Sequence, residues 1–328
     1  MAPPPFSTAS NQIVACPGTL DKRLVQSKVS CHPLYRMIIS ASRRTDIPAF
    51  YGEWLLRRFE EGFCEVPNPF NPRQISRISL LPEDLDALVL WTRYPRTLLQ
   101  GLPTILERGI PVAALYTIVD YPRELEPALP PLRRRIDAFR RLTELLGVGA
   151  VVWRYDPILL SNRTPEQFHL DRFGAIATEL RGLGDRVIVS LLQEYRSVAR
   201  QLAEIPDFRV DADAPRARQL VADLAELAQG AGFALQPCAD PRLEGLPDLA
   251  SGGCIDERLL RAAGVAGKLP GEDPNQRGAC RCLRSRDIGS YETCLFGCRY
   301  CYASHGIRRA RENRRRHDPA APQLLGPA

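Results

Sequence analysis

From residue 37 onward, short apolar runs alternate with segments in which apolar residues recur at helical spacing. The apolar runs predict strands at residues 37–42, 87–91, 112–118, 150–155, 186–192 and 233–236. The periodic segments predict helices at residues 49–62, 96–108, 131–146, 164–183 and 215–230. Strands that are apolar on both faces and alternate with helices are typical of a buried parallel sheet. The pattern therefore predicts an α/β fold, a full or partial (β/α) barrel of parallel strands with a C-terminal cysteine-rich segment.

The same pattern divides the chain into four parts. Residues 1–36 show no apolar periodicity, and we expect a disordered extension or a start codon assigned too early, with Met37 as the natural beginning. Residues 37–237 carry the predicted barrel units, and residues 238–304 form a cysteine-rich segment packing on the barrel. Residues 305–328 are predicted to form a basic helix and tail.

Polar residues follow several of the predicted strands. They occupy residues 40–46, 91–93, 116–117, 153–156 and 190–193. Because barrels place their active sites at the carboxyl ends of the strands, we expect these segments to share a pocket. The candidate catalytic residues are Arg43, Arg44, Asp46 and Asp156.

Each candidate also has a structural interpretation. The two arginines could hold a carboxylate or phosphate, or form a buried ion pair with Asp46. Asp156 could bind a ribose hydroxyl or cap a helix. Trp91 and Trp153 are expected in the core, and His169 is expected on the surface of its helix.

Charge and hydropathy exclude few functions. The net charge is +6, but the excess lies at the two ends, and residues 308–317 alone carry six arginines. A basic helix end is usually solvated, so nucleic-acid contact is only an alternative interpretation. The chain has no run of 18 apolar residues and no secretory signal. We therefore expect a cytoplasmic protein with no membrane partner.

The ten cysteines are the strongest chemical signal. Cys294, Cys298 and Cys301 form a C-x3-C-x2-C pattern. Three thiolates at this spacing can bind three irons of a [4Fe-4S] cluster and leave the fourth iron open. Gly297 eases the tight turn between them, and the Tyr300 ring could lie along an adenine.

This pattern resembles the cluster loop of the radical S-adenosylmethionine superfamily. The resemblance implies that S-adenosylmethionine chelates the open iron, that an electron from the cluster cleaves the sulfonium, and that the resulting radical abstracts hydrogen from a substrate. It also implies Tyr300 and Arg43 as cofactor-binding residues, and an electron donor such as flavodoxin or ferredoxin. In most of that superfamily the loop follows the first barrel strand, whereas here it follows the last. A circular permutation, with a strand at residues 287–292 pairing with the strand at residues 37–42, would account for this position.

A narrower resemblance covers about residues 37–304. It is to the bacterial family called domain of unknown function 1848. The matching stretches are Ser42-Arg-Arg-Thr-Asp-Ile-Pro48, Trp91-Thr92, Tyr155-Asp-Pro157, Gln276-Arg277, Cys280-Arg-Cys282, Ser285-Arg-Asp-Ile-Gly289 and the segment from Tyr291 to Ala303. The chain departs from the expected pattern at Arg93-Tyr94, where we expect Lys-Asn, and at Phe296, where we expect His.

Four further cysteines, Cys238, Cys254, Cys280 and Cys282, leave several interpretations open. They are the right number to close a second iron–sulfur cluster, with the C-x-C pair on neighbouring irons. They could also form a four-cysteine zinc site or remain buried thiols. In another interpretation, Cys282 joins the set of Cys294, Cys298 and Cys301.

These observations predict a radical S-adenosylmethionine enzyme whose substrate is a small molecule, a peptide or a nucleic acid. One alternative is a nucleic-acid repair or modification enzyme resembling spore photoproduct lyase, whose loop also ends in Tyr-Cys-Tyr. The others are a zinc-binding nucleic-acid module without catalysis and a simple electron carrier.

Overall fold

The computed structural model describes residues 36–326. The prediction for residues 1–36 therefore lies, apart from Arg36, outside the described residues. The strands are β1 (Met37–Ala41), β2 (Phe63–Asn68), β3 (Asn71–Ser79), β4 (Leu85–Thr92), β5 (Val112–Thr117), β6 (Val151–Ile158), β7 (Arg186–Leu191), β8 (Ala234–Pro237) and β9 (Arg286–Asp287). The helices are α1 (Ile47–Phe50), α2 (Gly52–Glu61), α3 (Leu102–Leu106), α4 (Leu132–Leu146), α5 (Glu166–Glu179), α6 (Arg196–Ala203), α7 (Ala214–Gly230), α8 (Glu257–Ala262) and α9 (Ile307–Arg315).

Seven strands of the described chain form one parallel sheet in the order β8-β7-β6-β5-β4-β1-β9. The predicted parallel α/β architecture is confirmed, and each of the six predicted strands is present. Within residues 36–326, the edge strands β8 and β9 do not pair with each other, so closure into a full barrel is not observed.

The predicted pairing between the two ends of the chain is confirmed. β9 lies parallel to β1, with Ile39 opposite Arg286 and Ser40 opposite Asp287. The strand is shorter than predicted and begins one residue earlier, because the chain leaves the sheet after Ile288. Ile288 still donates its backbone N–H to Ser40. Gly289 then lies so close to β1 that a Cβ there would be 2.0 Å from Ser42 Oγ.

Alternate residues of each strand point to opposite faces of the sheet and enter two separate cores. On the first face, Leu88 and Leu90 of β4 pack with Trp153 and Phe173. On the second face, Val89 and Trp91 of the same strand pack with the α8 segment and with Cys254 and Cys282. The part of the cysteine-rich segment between Cys254 and Cys282 therefore packs on the second face of the sheet.

Some local predictions were wrong. Residues 63–79 form an antiparallel hairpin of β2 and β3 that no pattern indicated. The predicted helix at 96–108 is only the short α3, which starts beside Pro103, a residue that favours the first turn of a helix. Among the described helices, none combines the length and the apolar composition needed to cross a membrane.

His169 was predicted on the surface, but it is fully buried. The Tyr155 hydroxyl lies 2.9 Å from Nδ1, and Nε2 lies 3.1 Å from the carbonyl oxygen of Leu159. Burial lowers the pKa of His169 to about 4 from an ordinary value of 6.5. The imidazole is therefore neutral in the folded protein at neutral pH.

We expect His169 to make stability depend on pH. Its folded pKa lies below its unfolded pKa, so its contribution is fully present above pH 6.5 and is lost as the pH falls toward 4. Over that window the free energy of unfolding should fall by about 3 kcal/mol more in the wild type than in His169→Gln. Urea unfolding of the metal-free protein across this range measures the difference, and equal slopes for the two proteins would contradict the assignment.

Candidate metal and cofactor site

Asp287, at the end of β9, fixes the position of the candidate site. Its carboxylate accepts hydrogen bonds from the hydroxyl of Ser40 at 3.0 Å and from that of Ser42 at 2.6 Å. It also accepts from the backbone N–H of Arg43 at 2.7 Å and from that of Gly289 at 3.0 Å. The chain that leads into the cysteine loop (residues 294–301) is thus attached to the end of the first strand.

The cysteine loop is packed from several sides. Tyr51 donates its hydroxyl to the carbonyl of Thr293 at 2.8 Å, and the N–H of Arg299 donates to Leu125 at 3.0 Å. Gly297 has a φ of 67°, and its position lies against Ile307, the first residue of α9. A left-handed conformation in such contact favours glycine, as the sequence suggested.

Of the three thiols of the loop, Cys298 is buried and Cys294 and Cys301 are half-buried. Burial raises the pKa of Cys298 to about 12 and also raises the pKa of Cys294 and of Cys301. Cys298 and Cys301 raise the pKa of Cys294 further, so the three sulfurs lie within electrostatic reach of one another. Within residues 36–326, no three Cys, His, Asp or Glu side chains are arranged to hold a single metal ion.

Arg93 connects the cysteine loop to an acidic side chain that sequence reasoning missed. Its Nη1 lies 3.2 Å from Cys298 Sγ and also donates to the Tyr300 hydroxyl, and its Nη2 forms an ion pair with Glu126. Tyr300 donates to the same carboxylate. Glu126 is 2% exposed. Glu126 does not directly follow a strand and belongs to no motif, so its charge was the one sequence feature that could have indicated a functional residue.

Tyr300 is therefore part of a buried hydrogen-bond network. Its ring lies edge-on to Tyr121 with the centroids 5.4 Å apart. The predicted role of Tyr300 beside an adenine stays a prediction.

Asp46 does not pair with Arg43 or Arg44, so the predicted ion pair is wrong. Its carboxylate caps α1 by accepting the N–H of Ala49 at 2.9 Å, and it accepts the N–H of Arg93 at 2.6 Å. Burial raises the pKa of Asp46 to about 7, although these hydrogen bonds favour the charged form. Asp46 therefore positions the start of α1 and the end of β4.

Arg43 and Arg44 instead contact the segment around β9, from Ser285 to Gly289. Arg43 donates to the Ser285 hydroxyl at 3.2 Å, and Arg44 donates to the carbonyl of Gly289 at 3.3 Å. The predicted anion-binding role of these arginines stays a prediction.

The predicted shared pocket is only partly formed. Arg43 and Arg154 each lie 4.9 Å from the centre of the Trp91 ring, on the second face of the sheet. Asp156 accepts hydrogen bonds from Arg154 and from Ser190, so it neither caps a helix nor stands alone. These side chains come from the ends of four strands or their following loops. Tyr116 and Trp153 point to the first face and belong to the core.

Three donors of this group have no partner within the protein. Within the described chain, Nη2 of Arg43, Nε1 of Trp91 and Nε of Arg154 are buried and have no hydrogen-bond partner. Unpartnered nitrogens also occur on Arg58, Arg135 and Arg186, away from this group. The three donors around the Trp91 ring lie together, so one acceptor-rich group could satisfy them.

The other four predicted metal ligands are also brought together by the fold. Cys238 Sγ lies 3.0 Å from Cys254 Sγ. Cys282 packs in the same cluster as Cys254 and Cys280. The four side chains lie on the second face of the sheet, away from the core that contains Cys298.

Comparison with known families matches residues 38–303 to Domain of unknown function (DUF1848). This chain belongs to the DUF1848 family. The matched region contains both cysteine groups and every residue of the Arg93 network. No curated protein and no solved structure matches the DUF1848 chain.

We expect the Arg93–Glu126 pair to be important for the stability of this DUF1848 protein. Glu126→Gln keeps the size of the side chain but leaves the buried guanidinium of Arg93 without its counter-charge. The free energy of unfolding should fall by about 3 kcal/mol, because removing one partner of a buried pair leaves an uncompensated charge. Urea unfolding measures this loss.

The matched control is Glu204→Gln, which breaks the ion pair with Arg299 at 2.6 Å. Both side chains of that pair are exposed, so we expect a loss below about 1 kcal/mol. Equal losses in the two variants would show that the Arg93 pair is not protected from solvent.

Proposed function

We propose that this protein is a radical S-adenosylmethionine enzyme in which Cys294, Cys298 and Cys301 hold a [4Fe-4S] cluster. The observation that carries the proposal is a set of three thiols, one buried and two half-buried, beyond the carboxyl end of a parallel sheet. Cys238, Cys254, Cys280 and Cys282 pack in the cluster on the opposite face of the sheet, so the loop offers three ligands rather than four. Three ligands leave one corner of a cubane open.

When bound, such a cluster supplies the electron that cleaves the sulfonium of S-adenosylmethionine. The chain's own residues prepare this site. Arg93 donates to the Cys298 sulfur, which lowers the cost of holding a thiolate in a buried position.

The substrate class stays open between a small molecule, a peptide and a nucleic acid. One observation favours a nucleic acid, as in an enzyme resembling spore photoproduct lyase. Helix α9 begins six residues after Cys301 and exposes Arg308, Arg309 and Arg311. Arginines on one short helix can contact phosphates along a strand.

Anaerobic reconstitution with iron and sulfide tests the proposal. With dithionite and S-adenosylmethionine added, the wild-type protein should release 5′-deoxyadenosine. Cys298→Ala should reduce this release to that of a reaction without protein, because the cluster loses one of its three anchors. Chromatography of the quenched reaction measures the product.

Cys64→Ala is the matched control, because Cys64 is a buried free cysteine of the β2–β3 hairpin and belongs to neither cysteine group. It should retain cleavage. If the wild-type protein assembles a [4Fe-4S] cluster but never cleaves S-adenosylmethionine, the proposal is wrong.

A further inference from the structure

We infer that Cys238, Cys254, Cys280 and Cys282 form a second metal site, which holds a [4Fe-4S] cluster with all four irons ligated by the protein. This four-cysteine set is independent of the proposed function, because it shares no ligand with the cysteine loop. The argument rests on convergence, on charge and on the spacing of the ligands.

The four thiols come from three separate segments that the fold brings together. Cys238 follows β8, and its N–H donates to the carbonyl of Val189 at 2.8 Å. Cys254 lies just before α8, and Cys280 and Cys282 lie more than 25 positions later in the chain. Cys238 Sγ and Cys254 Sγ nevertheless lie 3.0 Å apart, and all four side chains pack in the same cluster on the second face of the sheet. Free buried cysteines have no reason to gather from three segments.

A glycine makes this convergence possible. A Cβ on Gly253 would lie 2.5 Å from the carbonyl oxygen of Arg281 and 2.8 Å from Cys282 Cα. Only glycine permits the two backbones to approach so closely. The contact places Cys254 beside Cys282.

The charges around the set favour thiolates. Arg43 is half-buried, and its side chain donates to the hydroxyl of Ser285 rather than to a carboxylate. The guanidinium groups of Arg43 and Arg154 each lie 4.9 Å from the centre of the Trp91 ring, which packs with Cys254 and Cys282. Buried cations need anions nearby, and a metal-bound cysteine is a permanent anion.

The buried donors point in the same direction. Nη2 of Arg43 and Nε of Arg154 lack partners within residues 36–326, and both side chains lie beside the four-cysteine set. Sulfur atoms of an iron–sulfur cluster accept such hydrogen bonds. A cluster would therefore satisfy donors that the protein leaves unsatisfied.

The ligand spacing favours a cluster over zinc. Structural zinc sites typically take pairs of cysteines separated by about two to four residues. Here one pair is separated by a single residue, and the other two cysteines stand alone in the sequence. Single cysteines far apart in the sequence can each bind a different iron of a cubane.

A disulfide between Cys238 and Cys254 would explain fewer of these observations than a cluster does. It would leave the convergence of Cys280 and Cys282 on the same site unexplained.

The test uses the full chain with the cysteine loop removed as a metal site. The triple variant Cys294→Ala, Cys298→Ala, Cys301→Ala is purified and reconstituted without oxygen. We expect it to retain one [4Fe-4S] cluster, with about four irons per chain by metal analysis and a cubane signal in Mössbauer spectra. The wild-type protein should hold about twice as much iron.

Two further changes in the triple variant locate the cluster. Cys282→Ser should abolish iron binding, and Cys64→Ser should leave it unchanged. Gly253→Ala should reduce cluster occupancy by separating Cys254 from Cys282, whereas Gly278→Ala should not, because a Cβ at Gly278 meets no atom within 4 Å. Circular dichroism establishes that each variant is folded. If Cys282→Ser does not fold, Cys280→Ser, at a half-buried position, carries the test.

Three outcomes would overturn the inference. These are a folded triple variant that binds no iron, one that binds stoichiometric zinc in preference to iron after reconstitution, and a Cys238–Cys254 disulfide found by mass spectrometry of the anaerobic protein. None of these depends on S-adenosylmethionine cleavage. A wild-type protein that fails to cleave the cofactor while the triple variant keeps its cluster would reject the proposed function and support the second site.

Discussion

One carboxylate, Asp287, joins the first strand of the sheet to the last. Four donors surround it, three of them from residues 40–43 and one from Gly289. Because all seven strands are parallel, their carboxyl ends lie along one edge of the sheet. The attachment of β9 to β1 therefore brings a loop more than 240 residues away in sequence to the edge that carries Arg43, Asp46 and Arg93.

The alternation of side chains along each strand then assigns the two cysteine groups to different environments. Trp91 and Arg154 lie on the face that holds the four-cysteine set, whereas their neighbours in the strand point into the opposite core. A shift of one residue in either strand would exchange these faces and place a guanidinium in the apolar core. The register of β4 and β6 is thus as important to the candidate chemistry as the cysteines themselves.

The sequence predicts the repetitive parts of this structure well and its long-range polar contacts poorly. Strands and helices follow from local periodicity, which is why the parallel sheet could be predicted. The β2–β3 hairpin was not predicted, because Pro67 lies within β2 and because β3 is mostly exposed and so lacks alternating apolar and polar residues. His169 was misplaced because its partners are not on its own helix. Glu126 could not be identified because its partner Arg93 is 33 positions away.

The presence of arginine at position 93, where the family pattern led us to expect lysine, has a physical explanation. Its planar group donates at once to the Cys298 sulfur, the Tyr300 hydroxyl and the Glu126 carboxylate. Lysine is a point charge on a flexible stem and cannot hold three acceptors in one fixed plane. Arg43 and Arg154 lie beside the other cysteines in a comparable way. On both faces of the sheet, then, guanidinium groups lie next to cysteine sulfurs. A thiolate at such a position would balance the charge of the arginine, which explains how cysteines and arginines can be packed side by side inside this protein.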